Sequence, residues 1–172
     1  DEVQTGSGRT GEWYAGTHWG VEPDIVSTAK GVGGGFPVGA VIANERVFAD
    51  VNVGDHGSTY GGGPLAVAAV AATYRILEEE NLVERVKAQG QRVRERLESL
   101  SGEQRIREVR GLGYLLGIEL EVPASELQKH LLDRKILVGK SNEPNTIRLL
   151  PPLTVSDDEW EIFFEAMESF RS

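Results

Sequence analysis

Lys30 follows a short β-prone run, Ile25-Val26-Ser27-Thr28, and precedes Gly31, Gly33, Gly34 and Gly35. A lysine at a strand end, with glycine backbone beyond it, lies where a ligand can approach the chain closely. Its amine is nucleophilic when neutral and sits on a flexible stem, so condensation with a carbonyl group is the chemistry it offers. A surface lysine beside a flexible loop is the ordinary reading of an isolated Lys-Gly pair. Here the glycine stretch is accompanied by Asp1-Glu2-Val3-Gln4-Thr5-Gly6 and by a second polar loop, His56-Gly57-Ser58-Thr59-Tyr60-Gly61-Gly62.

The elements that must position these groups alternate between strand and helix. Residues 1–4 read as the exit of a buried strand, and Gly6, Gly8 and Gly11 mark a turn-rich connection in which Trp13, Tyr14 and Trp19 pack under a long loop. Residues 24–28 and 38–43 read as strands covered on both faces, since neither alternates cleanly. A short helical segment over 45–50 and a loop over 53–63 lead to Pro64, which opens an alanine-rich helix. A second helix carries Leu82, Val86, Val93, Leu97 and Leu100 on one stripe. Strands are expected over 105–110, 114–120, 136–138 and 146–150, with a helix over 125–134. Ser156-Asp157-Asp158-Glu159 is a capping box, and the helix it starts places Trp160, Phe163, Phe164, Met167 and Phe170 in a core. The expected domains are residues 1–80 and 81–172.

Asp1-Glu2-Val3-Gln4-Thr5-Gly6-Ser7-Gly8-Arg9-Thr10-Gly11, Pro23-Asp24-Ile25, Ala29-Lys30-Gly31, the loop from His56 to Gly62 with Pro64-Leu65, and Ile147-Arg148-Leu149-Leu150-Pro151-Pro152-Leu153 together resemble the class III aminotransferases. The nearest group is that of the acetylornithine and ornithine aminotransferases. The resemblance implies a fold-type I α/β protein that uses pyridoxal phosphate (PLP). It implies a mostly parallel sheet in the large domain and a smaller C-terminal α/β domain. The chain starts at Asp1, where the family has a strand end, and is expected to be the C-terminal part of a longer protein.

By this resemblance Lys30 is the residue that bonds the cofactor aldehyde, and Asp1 the carboxylate that keeps the pyridine nitrogen protonated. Gln4 would reach the phenolic oxygen and Val3 would press on the ring. Glu2 belongs to the same cofactor-binding segment but is equally readable as structural. Thr59 would contact the phosphate and Ser58 the substrate, both in a neighbouring subunit's site, although such a Gly-Ser-Thr loop is often only a turn. Arg148 would grip a substrate carboxylate. Where the family has Gly-Gly-Asn-Pro the chain has Gly61-Gly62-Gly63-Pro64, a change in helix entry that glycine tolerates.

Eighteen basic residues against 27 acidic ones leave a net charge of −9, which argues against nucleic acid or an anionic membrane as the main partner. The basic residues comprise 13 arginines and 5 lysines, and adaptation to a salty cytoplasm and an ordinary acidic enzyme are both compatible with that balance. No run approaches 18 apolar residues. The chain has no cysteine, which excludes disulfides and thiolate metal sites and fits a cytoplasmic protein. His18, His56 and His130 lack metal-ligand partners at useful spacing. The expected function is transfer of the terminal amino group of N-acetylornithine, or of ornithine or lysine held on a carrier protein, to 2-oxoglutarate by a homodimer with shared sites. The alternatives are ornithine or 4-aminobutyrate transamination, a glutamate-semialdehyde mutase, and a non-catalytic dimerisation module. The 172-residue chain alone is expected to be inactive.

Overall fold

A computed structural model describes residues 1–101 and 105–170. It divides into two compact units, Asp1–Glu84 and Arg85–Ser172, a break four residues beyond the expected 80/81.

In the first unit, strand β1 (Ile25–Thr28) pairs antiparallel with β2 (Ala40–Ala43), Thr28 lying opposite Ala40. This pair is antiparallel within a large domain expected to hold a mostly parallel sheet, because the connection between its strands holds only one short helical turn, Lys30–Gly33, whereas a parallel return needs a longer crossover. Nor are the strands covered on both faces, since Ile25, Val41 and Ile42 are exposed. Residues 1–4 form no strand; a single backbone bond, Glu2 N–H to Ser27 O at 2.8 Å, lays them beside β1. Trp13 is partly exposed and Trp19 is 69% exposed, so Trp19 is not packed under a loop as expected. Helix α1 (Glu45–Phe48) is capped by Asn44, whose side chain accepts from Val47 N–H at 3.1 Å. Helix α2 (Pro64–Glu79) starts from Gly63 in extended backbone with Pro64 in its first turn, so entry proceeds without a capping side chain.

Helix α3 (Leu82–Ser99) runs from the first unit into the second, and Leu82, Val86, Val93 and Leu97 on its expected stripe are buried. The second unit is an antiparallel sheet, β3 (Ile106–Leu112), β4 (Leu115–Leu120), β5 (Gly139–Lys140) and β6 (Thr146–Leu149), in the order β3-β4-β6-β5. The strand expected over 136–138 forms instead at 139–140, because Ile136 and Val138 pack against the core as irregular chain. In β4, Leu116, Ile118 and Leu120 face inward while Leu115, Gly117 and Glu119 are half-buried. The core they help build also holds Leu127 and Leu131 of α4 (Ala124–Asp133) and Trp160, Phe163, Phe164 and Met167 of α5 (Asp157–Glu168). Ser156 and Glu159 make both bonds of the capping box. Within this core Tyr114 donates to Gln89 Oε1, Gln89 Nε2 donates to Asp157, and Trp160 Nε1 donates to the Tyr114 hydroxyl at 3.4 Å. Gly90 of α3 meets Gly113 backbone to backbone: a Cβ at Gly90 would lie 2.6 Å from the Gly113 Cα.

Candidate active site

The backbone at Lys30 is left-handed, with φ of 50°. That conformation costs a non-glycine residue about 1–3 kcal/mol and persists only where the surroundings enforce it. They do so from both sides. Ahead of Lys30, Thr28 is buried and paired in β1. Beyond it, Val32 and Gly33 are buried, and Val32 N–H and Gly34 N–H close successive turns on Ala29 O (3.2 Å) and Gly31 O (3.1 Å). Gly34, at φ of 58°, lies so close to α2 that a Cβ there would stand 2.5 Å from Thr73 Oγ1. Lys30 is exposed at the top of this braced turn.

The Glu2–Ser27 bond brings the first residues alongside the strand that ends two residues before Lys30. Asp1 is exposed, and its Oδ1 accepts the Val3 N–H at 2.8 Å. Val3 is half-buried and Gln4 exposed. Glu2 is turned inward, where its carboxylate accepts from the Thr5 hydroxyl and from Gly16 N–H at 3.0 Å. Burial raises its pKa, but hydrogen bonds from Thr5 and the backbone at Gly16 and Ala15 outweigh burial and hold the carboxyl below its ordinary value. With Glu2 so engaged, Asp1 and Gln4 are the polar groups of the segment left facing outward.

A hydroxyl cluster behind the turn went unnoticed in the sequence. The Tyr14 and Tyr74 hydroxyls are 3.1 Å apart, Ser7 Oγ is 3.5 Å from Tyr74, and Trp13 stacks on Tyr74 with ring centroids 5.5 Å apart. Burial and the bond to Tyr74 push the Tyr14 hydroxyl pKa well above its ordinary value, so it stays protonated. Ser7 is buried against the lysine turn; a Cβ on Gly31 would lie 3.5 Å from Ser7 Cβ. The one available signal was Tyr74 and Thr73 interrupting the alanine-rich run of α2.

Ser58 and Thr59 line a groove of about 730 Å³ together with Phe36–Gly39 and the start of α2. Lys30 and Asp1 are not part of that groove. Ser58 Oγ accepts Gly61 N–H at 3.0 Å, which makes it a turn residue whose own proton is free to be donated elsewhere. In the second unit Arg148 is exposed on β6, and its Nε donates to Lys140 O at 2.9 Å. His18 is bonded to Thr10, and His130 to Ala166 O and Ser169.

The profile of the family described as aminotransferase class-III matches residues 1–170. The chain belongs to the class-III aminotransferases. It is 43% identical over 159 residues to the acetylornithine aminotransferase of Bacillus subtilis, covering 92% of this chain and 41% of the relative. It is 41% identical over 162 residues to the [LysW]-aminoadipate semialdehyde/glutamate semialdehyde transaminase of Sulfurisphaera tokodaii, covering 94% and 42%. Among solved structures, the acetylornithine aminotransferase of Elizabethkingia anophelis superposes with a TM-score of 0.91 at 36% identity, covering 99% of this chain and 44% of that one. The ornithine aminotransferase of Toxoplasma gondii gives 0.90 at 32%, covering 98% and 41%. The chain thus spans about two-fifths of the length of the relatives it matches, and its fold is the fold-type I of these PLP-dependent enzymes. The groups around the lysine turn of this class-III chain fit PLP. Lys30 carries an exposed amine at the top of the turn, and Asp1 an exposed carboxylate on the segment laid beside β1, the two kinds of group an aldehyde and a pyridine nitrogen call for. Among the described residues no helix is long and apolar enough to cross a membrane.

Proposed function

We propose that the chain is the C-terminal portion of a cytoplasmic, homodimeric transaminase that moves the terminal amino group of N-acetylornithine to 2-oxoglutarate. The observation that carries this reading is the left-handed Lys30, held in a braced turn beside the segment that bears Asp1 and Gln4. PLP, when bound, supplies an electron sink for the charge left as a C–H bond of the amino donor breaks. Lys30 Nζ would hold the cofactor by its aldehyde and, as a free amine, would take and return the proton of the donor carbon. Asp1 would keep the ring nitrogen protonated, Gln4 would bond the phenolic oxygen and Val3 would limit ring tilt. Glu2 supports the segment through Thr5 and Gly16. Thr59 and Ser58 act in the neighbouring subunit's site, on the phosphate and the substrate. Arg148 binds the substrate α-carboxylate through its planar fork.

The exposed Ile25, Val41, Ile42, Leu65 and Val67 support a larger assembly in which the rest of the subunit and a second subunit cover these apolar side chains. The 172 residues alone supply only part of each site, and by themselves they are inactive. A donor carried on a partner protein is the second reading, favoured by the likeness to the [LysW]-dependent transaminase.

Two measurements on the full-length enzyme test the proposal. Lys30→Ala is expected to abolish the absorbance band of the lysine-bound cofactor and turnover together; a normal band in this variant would remove Lys30 from its role. Turnover of acetylornithine should exceed that of free ornithine and of 4-aminobutyrate, and the reverse order would reject the donor.

A further inference from the structure

The sheet of the second unit carries one row of side chains in register: Arg110 opposite Gly117, Gly117 opposite Arg148, and Arg148 opposite Gly139. Arg148 is thus flanked on both neighbouring strands by glycine. On one side the gap is filled, because the Arg110 stem lies over Gly117, 3.6 Å from where its Cβ would be. The Arg110 charge is matched there by Glu119 at 2.7 Å and Glu108 at 2.8 Å. Among the described residues no carboxylate pairs with Arg148.

On the other side lies β5, the edge strand. Ser141 N–H donates to Thr146 O at 3.1 Å. In an antiparallel ladder bonded and non-bonded pairs alternate, so Gly139 and Arg148 form the next bonded pair and Lys140 and Ile147 a non-bonded one. The Lys140 carbonyl therefore points away from β6, toward the free edge. Arg148 Nε nevertheless reaches it at 2.9 Å, and its stem must cross Gly139 to do so. A Cβ on Gly139 would stand 3.7 Å from Arg148 Cβ and 3.9 Å from Nε. Those are ordinary contacts for a methyl group, and a branch beyond it would compete with the Arg148 stem for the same space.

We infer that Gly139 is a positioning residue: its bare backbone lets Arg148 lie across the edge strand and dock Nε on the Lys140 carbonyl, so that Nη1 and Nη2 form the outward edge presented to a carboxylate. With one of the three nitrogens tied to backbone, the guanidinium loses rotational freedom and offers two parallel donors in a fixed plane. This rests on the reading of Arg148 as the carboxylate-binding arginine.

The test uses the full-length, PLP-loaded enzyme with Gly139→Ala, Gly139→Val, Arg148→Ala and the Gly139→Val/Arg148→Ala pair. Steady-state kinetics with 2-oxoglutarate are read beside the cofactor absorbance band. Gly139→Ala should stay within about twofold of the parent. Gly139→Val should raise KM for 2-oxoglutarate about 10- to 100-fold, the range expected for losing a charge-assisted bidentate bond, with kcat changed far less and the band unmoved. In the Arg148→Ala background Gly139→Val should add nothing. An equal KM rise in that background, or an unchanged KM in Gly139→Val while Arg148→Ala raises it, overturns the inference and leaves the reading of Arg148 intact. An Arg148→Ala variant with unchanged KM removes both. If Gly139→Val fails to fold, Gly139→Ser must give an intermediate KM, and a parental KM there overturns the inference.

Discussion

Replacing Gly34 by alanine tests whether α2 fixes the lysine turn. The residue sits at φ of 58°, where a side chain costs roughly 1–2 kcal/mol. Its new Cβ would stand 2.5 Å from Thr73 Oγ1, well inside the roughly 3.5 Å of ordinary contact. Thr73 cannot simply turn away without cost, because that oxygen donates to Ala69 O at 2.8 Å within the helix. Overpacking of this kind costs about 1–3 kcal/mol, so Gly34→Ala should destabilise by roughly 2–5 kcal/mol in all. Gly20 separates the two contributions: its φ is 62° but nothing lies within 4 Å of its would-be Cβ. Gly20→Ala should therefore show only the backbone cost of roughly 1–2 kcal/mol. Thr73→Ala, which leaves a Cβ at an ordinary 3.6 Å, should return Gly34→Ala to the same level. Denaturant unfolding of the full-length protein measures all four variants, and the cofactor absorbance band reports whether the lysine turn has moved. Equal losses at Gly34 and Gly20, or no recovery with Thr73→Ala, would refute the brace.

Two further outcomes follow from buried polar groups. Tyr114→Phe removes a donor from Gln89 inside the second unit's core and should cost about 1–3 kcal/mol, measured by denaturant unfolding; a loss below about 0.5 kcal/mol would mean that Gln89 had found another partner. Glu2 has a carboxyl pKa below its ordinary 4.5 in the folded protein, so its stabilising contribution is fully present above that value and disappears as pH falls through the lower folded value. The gap in thermal midpoint between the parent and Glu2→Gln should therefore stay constant from neutral pH to about 5 and shrink below it; a gap that widened on acidification would reverse the sign.

The helices and the second unit's core could be read from the sequence because local signals and burial agree there. The aromatic face of α5 combines a periodic pattern with the capping box at Ser156 as its start signal, and the stripe Val86-Val93-Leu97 is periodic and buried. The strands were harder. Ile136-Leu137-Val138 has the composition of a strand, yet the ladder forms at Gly139-Lys140, because pairing is set by where the chain turns back into β6 and not by apolar content. β1 and β2 read as buried from their small apolar residues, but composition cannot say which segment covers them, and within this chain most of β2 and the start of β1 stand exposed. At the site, the glycine stretch after Lys30 was visible, while the reason for it was not. That reason lies in Thr73, 39 positions beyond Gly34, and in a tyrosine pair whose members are 60 residues apart. Glu2 was ambiguous in sequence and takes its role from Gly16, a backbone donor that no side-chain pattern announces.

Helix α2 begins on the wall of the groove that holds Ser58 and Thr59, and nine residues later it delivers Thr73 to the lysine turn. At 1.5 Å per residue the two ends of that lever are about 14 Å apart. The wall of the groove and the brace behind Lys30 are therefore two ends of one continuous helix, and neither can be built without the other.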